Sequence, residues 1–145
     1  MKKLNFKPLL TGEKEAALRN EVRSFLKNYG AFNVSNIIDS WSICDPELSR
    51  ALAAKGWLGM TWPTEYGGGG RSYLERYVVI EELLAAGAPV GAHWVADRQS
   101  GPLLLRFGTE EQQQHFLPKI VKGECFFAIG MSEPNSGSDL ASIKT

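Results

Sequence analysis

The sequence predicts a mainly α-helical domain that gives way at its end to one strand and a turn-rich loop. Three observations lead there. Apolar residues recur at three- and four-residue steps over most of the chain. Ser72 with Glu75 and Thr109 with Gln112 form two capping boxes, each marking a helix start. After Gly123 the helical period stops, and CFFAIGM and SEPNSGSD follow.

Taken in order, Ala17, Leu18, Val22, Phe25 and Leu26 share one face of a first amphipathic helix between Thr11 and about Gly30. From Asn33 to Ser42 the residues Ile37, Ile38 and Trp41 suit either a short helix or a packed loop. Asp45 as cap and Pro46 at the first helical position open a short helix to Lys55. Gly56 to Gly70 has no helical period, but Trp57, Met60, Trp62 and Tyr66 make it an ordered loop rather than a linker. The Ser72 box begins a long helix that runs to Ala86 and ends at Gly87. A third apolar segment covers Val90 to Phe107, with Pro102 expected to kink or delay it. Thr109 then caps a helix that Pro118 should close. The expected architecture is about five or six helices, with residues 1–123 as the helical domain and 124–145 as the start of a β-domain.

Composition narrows the function. With 145 residues, 43% of them hydrophobic, the chain can build a core without staples, so disorder explains it poorly. Sixteen Lys and Arg balance sixteen Asp and Glu, which removes the clustered positive charge a nucleic-acid binder needs. Asn5, Lys7 and Pro8 interrupt the N-terminal MKKLNFKPLL, so it does not read as a signal peptide, and no later run suits a membrane span. The expectation is a soluble, cytoplasmic protein. Cys44 and Cys125 are far apart in sequence and are expected to be buried thiols.

The stretch Gly130 to Ser142, GMSEPNSGSDLAS, is the richest in chemistry. Gly137 allows close backbone approach to a ligand, and Ser136, Ser138 and nearby amides can cluster as anion donors. Such loops are also ordinary turns. Other candidates have plainer explanations. His93 and Asp97, four apart, suit a pocket wall better than a metal site, since one pair supplies too few ligands. Glu81 and Glu82 are adjacent and should point to different faces, while Glu110 and Glu111 suit a helix N-terminus. Gly67 to Gly70 lacks the Gly-Lys-Ser/Thr ending of a phosphate-binding loop. The tryptophans and the pair Phe126 and Phe127 are expected in the core or at a domain contact.

The segment GMSEPNSGSDLAS resembles the flavin-site signature of the acyl-CoA dehydrogenase family, with every diagnostic position filled. GTEEQQQHFLPKIVKGE is similar to the helix and turn before it, and GWLGMTWPTEYGGGG resembles the family's N-terminal Trp-Pro-x-Glu-x-Gly-Gly loop. The resemblance implies the N-terminal helical domain of that fold plus the first strand and flavin loop of the next. It implies an FAD flavoprotein that oxidises the Cα–Cβ bond of an acyl-CoA to a trans-2-enoyl-CoA. In the family a carboxylate takes an α-proton, a hydride passes from the β-carbon to flavin N5, and electrons leave through an electron-transfer flavoprotein. Met131 and Ser132 would then lie against the flavin ring, and Gly137 and Ser138 would meet the pyrophosphate, with Ser138 also touching CoA. Trp94, Val95 and Arg98 would approach the acyl pocket.

Family members are normally more than twice this long, with a middle β-domain and a C-terminal helical bundle that supplies the base. No catalytic residue is therefore assigned, and Glu133 is expected to serve the loop. The leading expectation is a fragment, or one half of a split enzyme, inactive alone, whose flavin site and base are completed by further sequence; the expected partner is a homo-oligomer or a complementary C-terminal chain. The alternative is a non-catalytic helical interaction module with an exposed apolar face.

Overall fold

The computed structural model describes residues 12–30, Phe32 and 43–145. The ambiguous segment at 33–42 lies outside them. Helix α1 (Glu13–Tyr29) buries Leu18, Val22 and Leu26 at four-residue steps. Ala17, expected on the same face, is exposed, and Phe25 packs edge-on against Trp57 with ring centroids 5.2 Å apart. Helix α2 (Pro46–Ala54) starts where Asp45 accepts the Leu48 amide at 2.9 Å. Helix α3 (Tyr73–Ala85) opens with the expected box: Ser72 Oγ accepts from the Glu75 amide at 3.2 Å, and Glu75 accepts from the Ser72 amide at 2.9 Å. These side chains satisfy amides that a helix start leaves unpaired.

Helices α1 and α3 pack together, with Leu18, Val22, Leu26, Val78, Val79 and Leu83 in one core along with Leu48, Leu52 and Trp57. A charge cluster closes the contact. Glu82, 7% exposed, accepts from Arg23 Nε at 2.7 Å and from Arg19 Nη1. Arg19 also pairs with Glu81 at 2.6 Å. Adjacent helical residues do project about 100° apart, yet a long guanidinium reaches both carboxylates.

The segment 56–70 is an ordered loop with a 3₁₀ turn at Thr64–Tyr66. Its backbone folds on itself through Gly69 N–H to Gly59 O at 3.0 Å, Gly70 N–H to Trp62 O at 3.0 Å and Arg71 N–H to Met60 O at 2.7 Å. Trp57, Leu58, Met60 and Trp62 are buried. A Cβ on Gly68 would lie 2.6 Å from the Trp62 carbonyl carbon, so the glycine run permits this close return of the chain.

Pro102 does not break its helix. Helix α4 (Gly91–Val95) passes through a π-helical turn (Ala96–Ser100) into α5 (Gly101–Phe107). Gly101 N–H bonds to Ala96 O across the wider turn. The turn makes room for a residue that has no N–H and whose ring would crowd the preceding coil. Pro118 likewise does not close its helix, because α6 runs from Glu110 to Val121. The helix forfeits one internal donor there and ends instead at Gly123, φ 70°, where Gly123 N–H bonds to Ile120 O and Glu124 N–H to Lys119 O.

Two further expectations change. Cys44 is exposed and Cys125 half-buried, both free thiols. Cys44 precedes α2 on an isolated bridge to Val90 rather than on a core face. CFFAIGM forms no strand, since a strand needs a ladder partner and none lies beside it among the described residues. No helix among the described residues is long and apolar enough to cross a membrane.

Candidate functional site

Residues after α6 return along the face of α4. An open cleft of about 470 Å³ results, lined by Gly91, Trp94, Val95 and Gln99 from the helix and by Phe127, Ala128, Ile129 and Met131 from the extended segment. Phe127 anchors that segment edge-on against Phe116, with centroids 5.8 Å apart. Met131 remains 58% exposed and Ile129 49%. The cleft therefore joins two stretches that are distant in sequence, residues 91–99 and 127–131, and its walls are apolar except for Gln99. Gln99 has a sequence signal, four residues beyond Val95 on one helical face, but only the returning segment shows that this face has an occupant.

Beyond Met131 the chain turns tightly. Glu133 N–H donates to Ser136 O at 2.8 Å and Ser136 N–H to Glu133 O at 3.1 Å. Ser136 is buried and donates to Asp139 O at 2.6 Å, and the Ser142 hydroxyl donates to Ser136 Oγ at 2.8 Å. The Glu133 carboxylate accepts the Thr145 hydroxyl and the amides of Thr145 and Lys144, the latter two at 3.0 and 3.2 Å, and these bonds, the hydroxyl first, hold its pKa below the usual range. Glu133 is thus a loop-forming acceptor. The hydroxyls of Ser132 and Ser138 are exposed and bond to no described residue, and a Cβ on Gly137 would meet nothing within 4 Å. These three do not line the cleft with Met131. Ser136, one of the expected anion donors, is spent inside the turn.

His93 and Asp97 both line a small cavity between α3 and α4, as expected of a pocket wall, but they do not bond to each other. Ser49 donates its hydroxyl proton to Asp45 O at 3.0 Å, so a neutral His93 donates from Nδ1 to Ser49 Oγ across 2.8 Å. Burial pulls its pKa down to about 4. Asp97 accepts the Gly59 amide at 2.7 Å, while burial pushes its pKa up. Both side chains pin α4 and the π turn to neighbouring elements. Among the described residues no group of three His, Cys, Asp or Glu could hold a metal. Arg98 stacks on Trp94, 4.8 Å from the ring centroid, and lines a different cleft from Met131.

Residues 12–124 match the family described as acyl-CoA dehydrogenase, N-terminal domain. Acyl-CoA dehydrogenase FadE26 of Mycobacterium tuberculosis is 36% identical over 140 residues, covering 97% of this chain and 31% of the relative. The solved Tcur3481-Tcur3483 steroid ACAD superposes with a TM-score of 0.82 at 37% identity, covering 96% of this chain and 36% of that one. A glutaryl-CoA dehydrogenase from Mycobacterium smegmatis, solved in complex with FADH2, gives a TM-score of 0.73 at 26% identity, covering 93% and 35%. The chain thus spans about a third of the length of its relatives. A helical fold of this topology, matched in sequence across nearly all of its length, places the chain in the acyl-CoA dehydrogenase family as that family's N-terminal domain.

Proposed function

We propose that this chain is the N-terminal part of an FAD-dependent acyl-CoA dehydrogenase that oxidises the Cα–Cβ bond of an acyl-CoA to a trans-2-enoyl-CoA. The observation that carries the reading is the cleft shared by Met131 of the GMSEPNSGSD segment and by Trp94 and Val95. Its apolar walls suit one side of a flat ring, and the uncommitted Ser132 and Ser138 hydroxyls with the open Gly137 suit a polar phosphate tail. These residues fit FAD, which when bound supplies the hydride acceptor for the reaction. Met131 and Ser132 would hold the ring, Gly137 and Ser138 the pyrophosphate, and Ser138 also the CoA portion. Trp94 and Val95 give the cleft an apolar wall, which would strengthen polar contacts made there once a ligand covers it.

In this reading residues 1–123 form the helical domain and 124–145 begin the β-domain. The base and the remaining flavin contacts, in the same reading, belong to the two thirds of the relatives that this chain does not span, and electrons leave to an electron-transfer flavoprotein. Flavin retention and turnover in this reading require that portion, and residues 1–145 do not turn over without it. The test is flavin retention and acyl-CoA-dependent reduction of an electron acceptor, with and without the complementary portion. Retention and turnover only in its presence support the reading. Turnover by the chain alone, or no flavin in either case, overturns it.

One observation favours a second reading, a helical interaction module without catalysis. Tyr73, Tyr77 and Leu84 stand 75%, 49% and 36% exposed along one helix. Light scattering decides it: a monomer that binds no apolar dye counts against this reading.

A further inference from the structure

A second cleft, of about 410 Å³, lies between the start of α3, the loop at Thr61 and the far part of α5, and it shares no lining residue with the cleft of Met131. Three guanidinium groups line it: Arg76, Arg98 and Arg106. Each lies over an aromatic ring, Arg76 at 5.3 Å from the Tyr73 centroid, Arg98 at 4.8 Å from Trp94 and Arg106 at 5.0 Å from Phe107. Stacking holds a planar cation in place while leaving its N–H edge free to donate.

These cations have no matching acid. Among the described residues no carboxylate lies within 4 Å of Arg76, Arg98 or Arg106, whereas Arg19, Arg23, Arg50, Lys14 and Lys55 each have one. Asp97 is the acid that feels Arg76 and Arg98, but it is buried and accepts the Gly59 amide. Burial, and after it the nearby Arg76 charge, lower the Arg98 pKa, with the Asp97 charge opposing them. Three guanidiniums with no carboxylate within 4 Å among the described residues, in one concavity of a chain with zero net charge, are a local excess of positive charge. A ligand with paired oxygens offsets this excess and matches the guanidinium fork. Thr61 adds a neutral hydroxyl at the wall, and Leu105 an apolar surface for the body of the ligand.

We propose that this cleft is an oxyanion-binding site that takes a phosphate or carboxylate group between Arg76, Arg98 and Arg106. The test uses the full chain at physiological ionic strength, titrated separately with inorganic phosphate and with succinate. Arginine Nε–H signals are followed by NMR. Saturable shifts confined to the three arginines support the site. Saturation by phosphate alone assigns a phosphate ester, by succinate alone a carboxylate, and by both an oxyanion site without preference. Arg98→Gln and Arg106→Gln each weaken binding by roughly tenfold, the value of a charge-assisted hydrogen bond. Arg50→Gln, on α2, leaves binding unchanged. Arg106 is exposed, so its variant carries the test if Arg98→Gln does not fold. Shifts that never saturate, that spread to Arg50, or that persist in both cleft variants overturn the proposal. Ser138→Ala leaves this titration unchanged, which keeps the outcome separate from the flavoprotein reading.

Discussion

The loop 56–70 and the tail 125–145 are both irregular and carry family motifs, yet they are opposite in construction. The loop is lined by buried Trp57, Met60 and Trp62 and is bonded to itself and to Asp97. In the tail only Ser136 is buried, and Met131, Ser132, Gly137 and Ser138 face outward. The loop is thus part of the scaffold, while the tail presents groups to something else. Irregular structure alone does not distinguish the two roles; where the hydrogen bonds and side chains go does.

Substitutions should break the loop region and spare the tail. The largest effect is expected at Gly101, where a Cβ would collide with two edge carbons of the buried Trp62 ring and lie 2.9 Å from Ala96 O. Gly101→Ala should destabilise by about 3 kcal/mol in denaturant unfolding, the upper end for overpacking. A neutral result would show that Trp62 has room to move and that the loop is less tightly held than its burial indicates.

Next is pH. The folded-state pKa of His93, lowered to about 4 from 6.5, means that the unfolded chain binds its proton first. Its contribution is complete above 6.5 and lost as pH falls toward about 4, at most about 3 kcal/mol. Asp97 acts in the opposite direction, since its pKa is raised by burial. The effect of His93 is therefore read as a difference: His93→Gln should flatten the acid side of the stability profile relative to wild type. An unchanged profile would mean that the imidazole is hydrated.

Glu82→Ala should cost about 1.5 kcal/mol, because Arg19 and Arg23 lose their shared acceptor. The value stays below that of a fully buried pair, since the Arg23 side chain is 59% exposed. Arg23 and Arg19 hydrogen bonding holds the Glu82 pKa low, with burial opposing, so this contribution fades as pH falls through the carboxylate range. Double-mutant cycles with Arg19 and Arg23 measure it.

The smallest effect belongs to the tail. Ser138→Ala should change unfolding free energy by less than about 0.5 kcal/mol, as for an exposed site, while lowering flavin retention in the completed enzyme. Comparable losses of stability and flavin would erase the contrast between the two regions.

Local chemistry made much of this protein legible in its sequence. Asp45-Pro46, Ser72 with Glu75 and Thr109 with Gln112 mark helix starts because a cap acts within three residues of itself. Four-residue spacing identified Leu18, Val22 and Leu26 as core for the same reason. The residues of GMSEPNSGSD were legible as a string, but their position was not. Tertiary structure decided the rest: that Pro102 sits behind a π turn, that Pro118 stays inside its helix, that Cys44 is exposed, and that His93 and Asp97 turn to Ser49 and Gly59 instead of each other. It also decided which helix face Met131 meets and that three distant arginines share one cleft. Caps and periodicity depend on neighbours in the chain. A proline's tolerance, a thiol's exposure and a cleft's lining depend on packing between residues far apart in it.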